Sequence, residues 1–433
     1  MKKNRDRSYE ALLLRPILHT GTAFYATVAV LVAAIGWFGY AWWTQLTQGL
    51  SVTGLGDIGT SAGAPWGLYI TSFVWWVGIA YGCIAISAAV RIMKLEQYKP
   101  ISRIAEVMTV FTLLVASVNI IFDLGRPDRL FNIVVYYWER LGQSPLVWDL
   151  TVIIGFVALS VTFLVLNMRE DLVALSHRLP KRWNMLYRLV IVGYEPRERE
   201  KVRQISWWLA LSLLVLMAFF SGGVSSWLFG LMVSQPGWFS AVQGPIFLTA
   251  ALSTAVAAVI LVAAMVRHVF GWQEQIRTGI FRGLSKVLAV LILVYLWFIL
   301  QEQITIQYAG PLPERAVSEA LLFGELAPAY WTVIGGLILT FVYLAVQAIR
   351  PSTFSLSGTV LVSVVVLVVL WLKRFLVVVP SLLYPRLPYP AGSYVPTWVE
   401  WSLFIGTLAT AALLYVLFAK IFPMMEFREE MKA

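Results

Sequence analysis

The chain has 433 residues, 59% of them hydrophobic and only 13% charged, with a mean hydropathy of +0.77. Such a composition excludes a water-soluble globule and describes a polytopic helical membrane protein. The formal net charge of +10 does not point to nucleic acid, because the basic residues are spread through the short segments between apolar runs rather than gathered in one domain.

The lone cysteine, Cys83, lies inside a predicted span, so neither a disulfide framework nor a thiolate metal or iron–sulfur site can be built from this chain. The N-terminal basic cluster Lys2, Lys3, Arg5 and Arg7 precedes an apolar run from about Leu18 to Trp43, longer than a signal-peptide core, and that run is expected to remain as the first membrane helix.

Apolar runs of about 20 residues or more occur ten times. Their predicted spans are 18–45, 66–92, 102–123, 146–168, 204–228, 244–268, 284–307, 327–349, 356–380 and 397–421. With the N-terminus inside, 26 of the 33 Lys and Arg fall on the inner side, which places both termini in the cytoplasm by the positive-inside rule. The expected fold is an all-α integral membrane protein in a single membrane domain. Spans two to five (66–228) and six to nine (244–380) make two sets of four with the same orientation, flanked by 18–45 and 397–421.

The first outer loop contains Gly54-Leu55-Gly56-Asp57-Ile58-Gly59, formally a dinucleotide fingerprint, but no strand precedes it and the match carries no nucleotide reading. The next outer loop is more informative. Asp123-Leu124-Gly125-Arg126-Pro127 leaves span three, and Ser144-Pro145-Leu146-Val147-Trp148-Asp149 enters span four. Asp123 and Asp149 therefore sit at the lips of two antiparallel neighbours and are expected to reach one pocket, with Arg126 and Arg129 supplying compensating charge. The other arrangement has Asp149 capping its helix while Asp123 braces the loop through an arginine. On the inner side, the loop from Arg169 to Arg203 carries Trp183, Leu186, Tyr187, Val190 and Ile191 at helical spacing among Lys181, Arg182 and Arg188. This predicts either a short basic amphipathic helix on the inner leaflet or a solvated basic loop.

Ionisable groups inside spans are functional candidates because their desolvation must be offset. They are Glu106 near the inner end of span three, Asp123, Asp149, and Glu302 near the outer end of span seven. Lys373 and Arg374 interrupt the ninth apolar run and call for a partner, Glu400 or Glu302, or else for snorkelling to the outer headgroups. Carboxylates near the outer interface among Trp66, Tyr69, Trp148 and Tyr308 suit a hydroquinone, which releases two protons and two electrons at its polar head while its tail stays in lipid. Electrons have no obvious carrier in the chain. Of the three histidines, His177 lies in a loop, while His19 and His268 lie at inner helix ends beside Arg15 and Arg267. A partner subunit is therefore expected to receive them.

Together with Pro65-Trp66-Gly67, the Glu302 to Gly310 segment, Trp371 with Arg374-Phe375, and Tyr394-Val395-Pro396-Thr397-Trp398, these elements resemble the NrfD/polysulfide-reductase membrane-subunit family. The resemblance is to its ten-helix branch, which includes the large membrane subunits of alternative complex III. It implies two four-helix bundles with two flanking helices in a bacterial cytoplasmic membrane, surrounded by lipid. The implied function is a quinone-binding subunit of a respiratory oxidoreductase, not an enzyme alone, with proton conduction as a further role open to it. Menaquinone or ubiquinone would be an exchangeable substrate, with no haem, iron–sulfur cluster or metal in the chain. Implied partners are a periplasmic ferredoxin-like iron–sulfur subunit, a molybdopterin-type or related large subunit and other membrane subunits. By the motif match, Asp149 and Glu302 fall on acidic positions near the quinol site or its proton path, while Asp123 and Tyr81 stand where the alternative-complex-III quinol-binding subunit has histidine. The competing classes are a secondary transporter with parallel repeats and a structural membrane anchor without quinone binding.

Overall fold

The computed structural model describes residues 14–55, 64–175, 179–195, 197, 199–219, 225–384, 386 and 390–426. His177, the N-terminal basic cluster and Gly56 to Gly59 of the glycine-rich loop lie outside them. Among the described residues, ten helices are long and apolar enough to cross a membrane. They are α1 (Thr22–Gln48), α2 (Leu68–Ile92), α3 (Lys99–Asp123), α4 (Pro145–Leu175), α5 (Arg199–Phe219), α6 (Gln243–Phe270), α7 (Thr278–Ala309), α8 (Ala327–Ile349), α9 (Leu356–Val378) and α10 (Trp398–Ile421). A lipid-embedded backbone must satisfy its own N–H and C=O groups, and each apolar run does so as a helix. Helix ends follow local chemistry. Proline opens α4 and occupies the first turn of α3 and α8, where its missing N–H costs nothing. The Ser355 hydroxyl caps α9, and Gly271 closes α6 in the left-handed region at φ 73°.

Packing follows two closed rings. Helices α2, α3, α4 and α5 each touch their neighbours and α5 returns to α2; α6, α7, α8 and α9 do the same, with α9 returning to α6. The α1 and α10 helices pair with each other outside these rings, and α10 also touches α2 and α3. Burial ranks the helices accordingly: 89% of the central α2 window and 78% of the α6 window are buried, against none of the α1 window.

The rings meet where α2 crosses α6. Gly78 and Gly82 on α2 lie against Ala251 and Ala255 on α6, two small-xxx-small faces that let the backbones approach. A Cβ placed on Gly82 would stand 2.7 Å from the Ala251 carbonyl oxygen. On the positively charged side, a short helix, Asn184–Ile191, turns Tyr187 and Val190 inward and leaves Met185 and Leu189 exposed, as an amphipathic surface helix requires. Burial raises the Tyr187 phenol to about 12, against the opposing pull of Arg182.

Candidate functional site

The outer loop does not hold its two acids in one environment. The Asp149 carboxylate is 1% exposed; Oδ1 accepts a hydrogen bond from Ser225 at 3.3 Å, and Oδ2 is buried without a partner. Ser225 belongs to the short helix Ser225–Gly230, which packs between α4 and α6. Seven residues deeper on α4, Phe156 meets the Tyr81 ring edge-on at 4.7 Å between centroids. The Tyr81 hydroxyl is also buried and unpartnered. At 1.5 Å per residue, the Asp149 backbone stands about 10 Å outward of Phe156 along α4, and the Tyr81 hydroxyl lies within reach of the Asp149 and Ser225 side chains.

Asp123 faces elsewhere. Its neighbours are Tyr69 and Glu400, and its buried Oδ1 has no hydrogen-bond partner. Beside it Gln45 on α1 donates to the Phe122 carbonyl at 2.6 Å and accepts from the Tyr69 hydroxyl at 2.7 Å. Tyr69 lies twelve residues outward of Tyr81 on α2, about 18 Å along the axis, so the Asp123 cluster is the shallower one. The expectation of one shared pocket is corrected: Asp123 terminates α3 towards α1 and α10, whereas Asp149 points inward from the first turn of α4.

Of the two arginines expected to compensate these acids, Arg126 is engaged on the surface. Arg126 makes a bidentate pair with Asp128, at 2.9 and 2.8 Å, and holds that exposed carboxyl below its usual range. Glu400 is not the partner of Lys373 and Arg374. It accepts from the backbone N–H groups of Gly54 (2.7 Å) and Thr397 (2.9 Å) and from the Tyr394 hydroxyl, completing a capping box at the start of α10. Tyr394 accepts in turn from the Leu68 N–H at 2.8 Å, and burial together with the Glu400 charge raises its phenol above the ordinary range. Lys373 instead faces Glu302 across α9 and α7, and both Lys373 and Arg374 are buried rather than snorkelling outward.

The aromatic candidates also divide. Trp66 stacks on Trp238 at 5.6 Å and meets Phe229 edge-on. Phe229 leads to Phe247, over whose ring the Arg374 guanidinium sits at 4.1 Å. Beneath this tier Phe73, Val77, Gly78, Ser225, Phe247 and Arg374 enclose a cavity of about 10 Å³, room for roughly one water. Arg374 Nη1 is buried there unpartnered. Trp148 is engaged locally, its indole N–H donating to the Leu141 carbonyl, and Tyr308 is 87% exposed at the outer end of α7. Sequence reasoning did not single out Ser225, and Arg374 appeared as a charge seeking a partner and within a family element, not as a wall of this site. A serine among apolar residues carries no sequence signal until the fold sets it against Asp149.

His19 and His268 are both exposed, and among the described residues no three His, Cys, Asp or Glu side chains gather into a group that could hold a metal ion. The family described as "Polysulphide reductase, NrfD" matches residues 56–386. The chain belongs to the NrfD family. Over 95% of its length it is 26% identical to 94% of a protein of Halobacterium salinarum named as a candidate membrane subunit of a dimethyl sulfoxide reductase. It is 23% identical to a selenate reductase subunit of Mesobacillus selenatarsenatis, over 94% of this chain and 95% of that one. It is 22% identical to the Hdr-like menaquinol oxidoreductase integral membrane subunit of Archaeoglobus fulgidus, over 93% of both. Ten spanning helices and this family make the chain a multi-pass integral membrane protein.

Proposed function

We propose that this NrfD chain is the quinone-interacting membrane subunit of an oxidoreductase complex, with the quinone head group taken between Asp149, Ser225 and Tyr81. The observation that carries the reading is the pair of free polar atoms in the outer part of the first bundle: Asp149 Oδ2 and the Tyr81 hydroxyl, both buried and neither hydrogen-bonded. A carboxylate with an unused oxygen and a phenol with an unused hydroxyl are an acceptor and a donor for the two oxygens of a hydroquinone or quinone. When a hydroquinone is oxidised, two protons and two electrons leave it; Asp149 takes the protons in turn, handing the first on before accepting the second, and Ser225 fixes the orientation of its carboxylate. Trp66, Trp238, Phe229 and Phe247 supply apolar walls. Arg374 supplies a positive charge on the far side. Asp123 with Tyr69, and Glu302 with Lys373, flank this centre as positions through which protons leave towards the outer face.

The relative named as a menaquinol oxidoreductase subunit supports menaquinone as the substrate. The electrons pass to a periplasmic ferredoxin-like iron–sulfur subunit docked over the 124–144 loop, with a molybdopterin-type or related large subunit beyond it. By charge distribution, both termini lie in the cytoplasm of a bacterial cell. In the assembled complex, Asp149→Asn keeps the shape of the site and removes its proton acceptor. Quinone-linked turnover is expected to fall 10-fold or more, the scale of about 1.4 kcal/mol. Undiminished turnover would remove Asp149 from the site, and a complex that assembles without retaining or turning over quinone would favour an anchor.

A further inference from the structure

A cavity of about 430 Å³ opens at the other end of the first bundle, on the positively charged side. It is lined by residues of α2, α3, α4 and α5 and by Glu426 of the C-terminal segment. Sites that hold a small ligand run from roughly 300 to 1,000 Å³. The wall is rich in charge, and nearly all of that charge is answered from within. Lys99 pairs with Glu96 at 2.6 Å, Arg91 with Glu426 at 2.7 Å, Arg199 with Glu170 at 2.5 Å and Arg203 with Glu200 at 3.4 Å. The remaining basic side chain of the wall is Lys94, whose ammonium makes no ion pair or hydrogen bond among the described residues.

Among the described residues, Lys94 is also the only one other than glycine with a positive φ, 52°. It follows the C-cap of α2 in a turn closed by two backbone bonds. The Leu95 N–H donates to the Val90 carbonyl at 2.9 Å, and the Lys94 N–H donates to the Arg91 carbonyl at 3.3 Å. Glycine is favoured at this place in such a turn. Lysine strains the backbone there, and sets a free, exposed ammonium on the rim of the cavity. Helix α5 contributes two further donors. Gln204 and Trp207, three residues apart on one face, both line the cavity. Neither the Gln204 amide nor the Trp207 indole N–H has a hydrogen-bond partner among the described residues. One turn on from Gln204, Trp208 is 62% exposed and meets the Trp207 ring edge-on at 5.0 Å. Tryptophan near the end of a membrane helix marks headgroup depth, so the lipid-facing surface of α5 reaches the edge of the cavity.

We propose that this cavity seats the phosphodiester headgroup of an anionic phospholipid from the leaflet on the positively charged side. The Lys94 ammonium pairs with the phosphate oxygens, Gln204 and Trp207 donate to them, and the acyl chains run along the exposed face of α5 past Trp208. A phosphodiester brings one negative charge and only acceptors at its phosphate, and the free groups here supply one unpaired cation and two further donors. A zwitterionic lipid carries its own cation, which Lys94 repels, so the site selects headgroups of net negative charge. Soluble phosphate meets the same donors but makes no use of the Trp208 surface, which favours the lipid. The bound headgroup bridges α2 and α5, two helices already packed together, and ties off the charged end of the first bundle. Nothing in this assignment depends on the quinone reading.

The test uses the assembled complex, stripped of its own lipid by detergent exchange. Native mass spectrometry then counts bound lipid as dioleoyl phosphatidylglycerol or dioleoyl phosphatidylcholine is added back. The wild type is expected to hold one phosphatidylglycerol roughly 10-fold more tightly than phosphatidylcholine, the weight of one charge-assisted contact. Lys94→Gly suits a backbone at φ 52° and removes the cation. It is expected to weaken that phosphatidylglycerol about 5-fold or more, while the thermal unfolding midpoint of the lipid-free complex does not fall. Lys94→Arg keeps the charge and is expected to keep the lipid. Equal binding of the two lipids by the wild type overturns the proposal, as does phosphatidylglycerol held by Lys94→Gly as tightly as by the wild type. Loss of the lipid from Lys94→Arg also counts against it, since strain rather than charge would then govern binding. Displacement of phosphatidylglycerol by millimolar inorganic phosphate would give the cavity to a soluble anion and remove the lipid.

Discussion

Asp149 and Asp123 show what residue order conveys and what it omits. Both lie where the apolar runs say they should, at the outer ends of adjacent helices. Their facing depends on how α3 and α4 rotate against α2, which periodicity cannot report when almost every residue of α2 is apolar and buried. Arg126 is equally ambiguous in the sequence: two residues separate it from Asp128, and that short-range pair wins because it costs no desolvation. The Arg103–Asp171 pair is invisible there, since 68 residues separate its members. Arg103 also donates to the Asn167 backbone carbonyl at 2.8 Å, while its Nε and Nη1 have no partner. Removing Asp171 strands a buried guanidinium, which costs on the order of 3–5 kcal/mol. Asp171→Ala is therefore expected to lower the thermal unfolding midpoint in detergent markedly, and Arg103→Met with Asp171→Leu to recover part of the loss. A midpoint unmoved by Asp171→Ala would show that Arg103 finds another anion.

At the scale of elements, count and type are legible because a bilayer admits one solution for a long apolar segment. Boundaries are less so: α7 begins at Thr278, six residues before the predicted 284, because the inner-side residues before Leu284 remain helical beyond the apolar run. The α2–α6 crossing between the rings is built on four small residues. Gly78 and Gly82 sit four apart on α2, opposite Ala251 and Ala255 four apart on α6, so the close approach is a property of both sequences together. Gly82→Leu puts a branched side chain where a Cβ already meets Ala251 and Ala255. The axes must separate, and Phe73, Val77 and Phe247 around the cavity must shift with them. Loss of assembled complex on native gels is expected, with Gly82→Ala milder. Gly39→Leu serves as control, since nothing lies within 4 Å of a Cβ there. Equal assembly of all three variants would mean that the rings do not depend on this crossing.

For the whole molecule, the charge distribution supports the proposed orientation. Ten crossings return the chain to the side it left, and 26 of its 33 Lys and Arg lie on that side. With that orientation the proposed quinone site belongs to the outer leaflet. The chain is suited to testing it because Cys83, its one cysteine, is 0% exposed and should not react. Met185 is 84% exposed on the positively charged side, on the amphipathic Asn184–Ile191 helix. Gly142, exposed in the opposite loop, has nothing within 4 Å of a Cβ. A membrane-impermeant maleimide applied to spheroplasts is expected to label Gly142→Cys and to spare Met185→Cys until the cells are lysed. Labelling of Met185→Cys in unlysed spheroplasts would invert the molecule. The Asp149 site would then face the cytoplasmic leaflet.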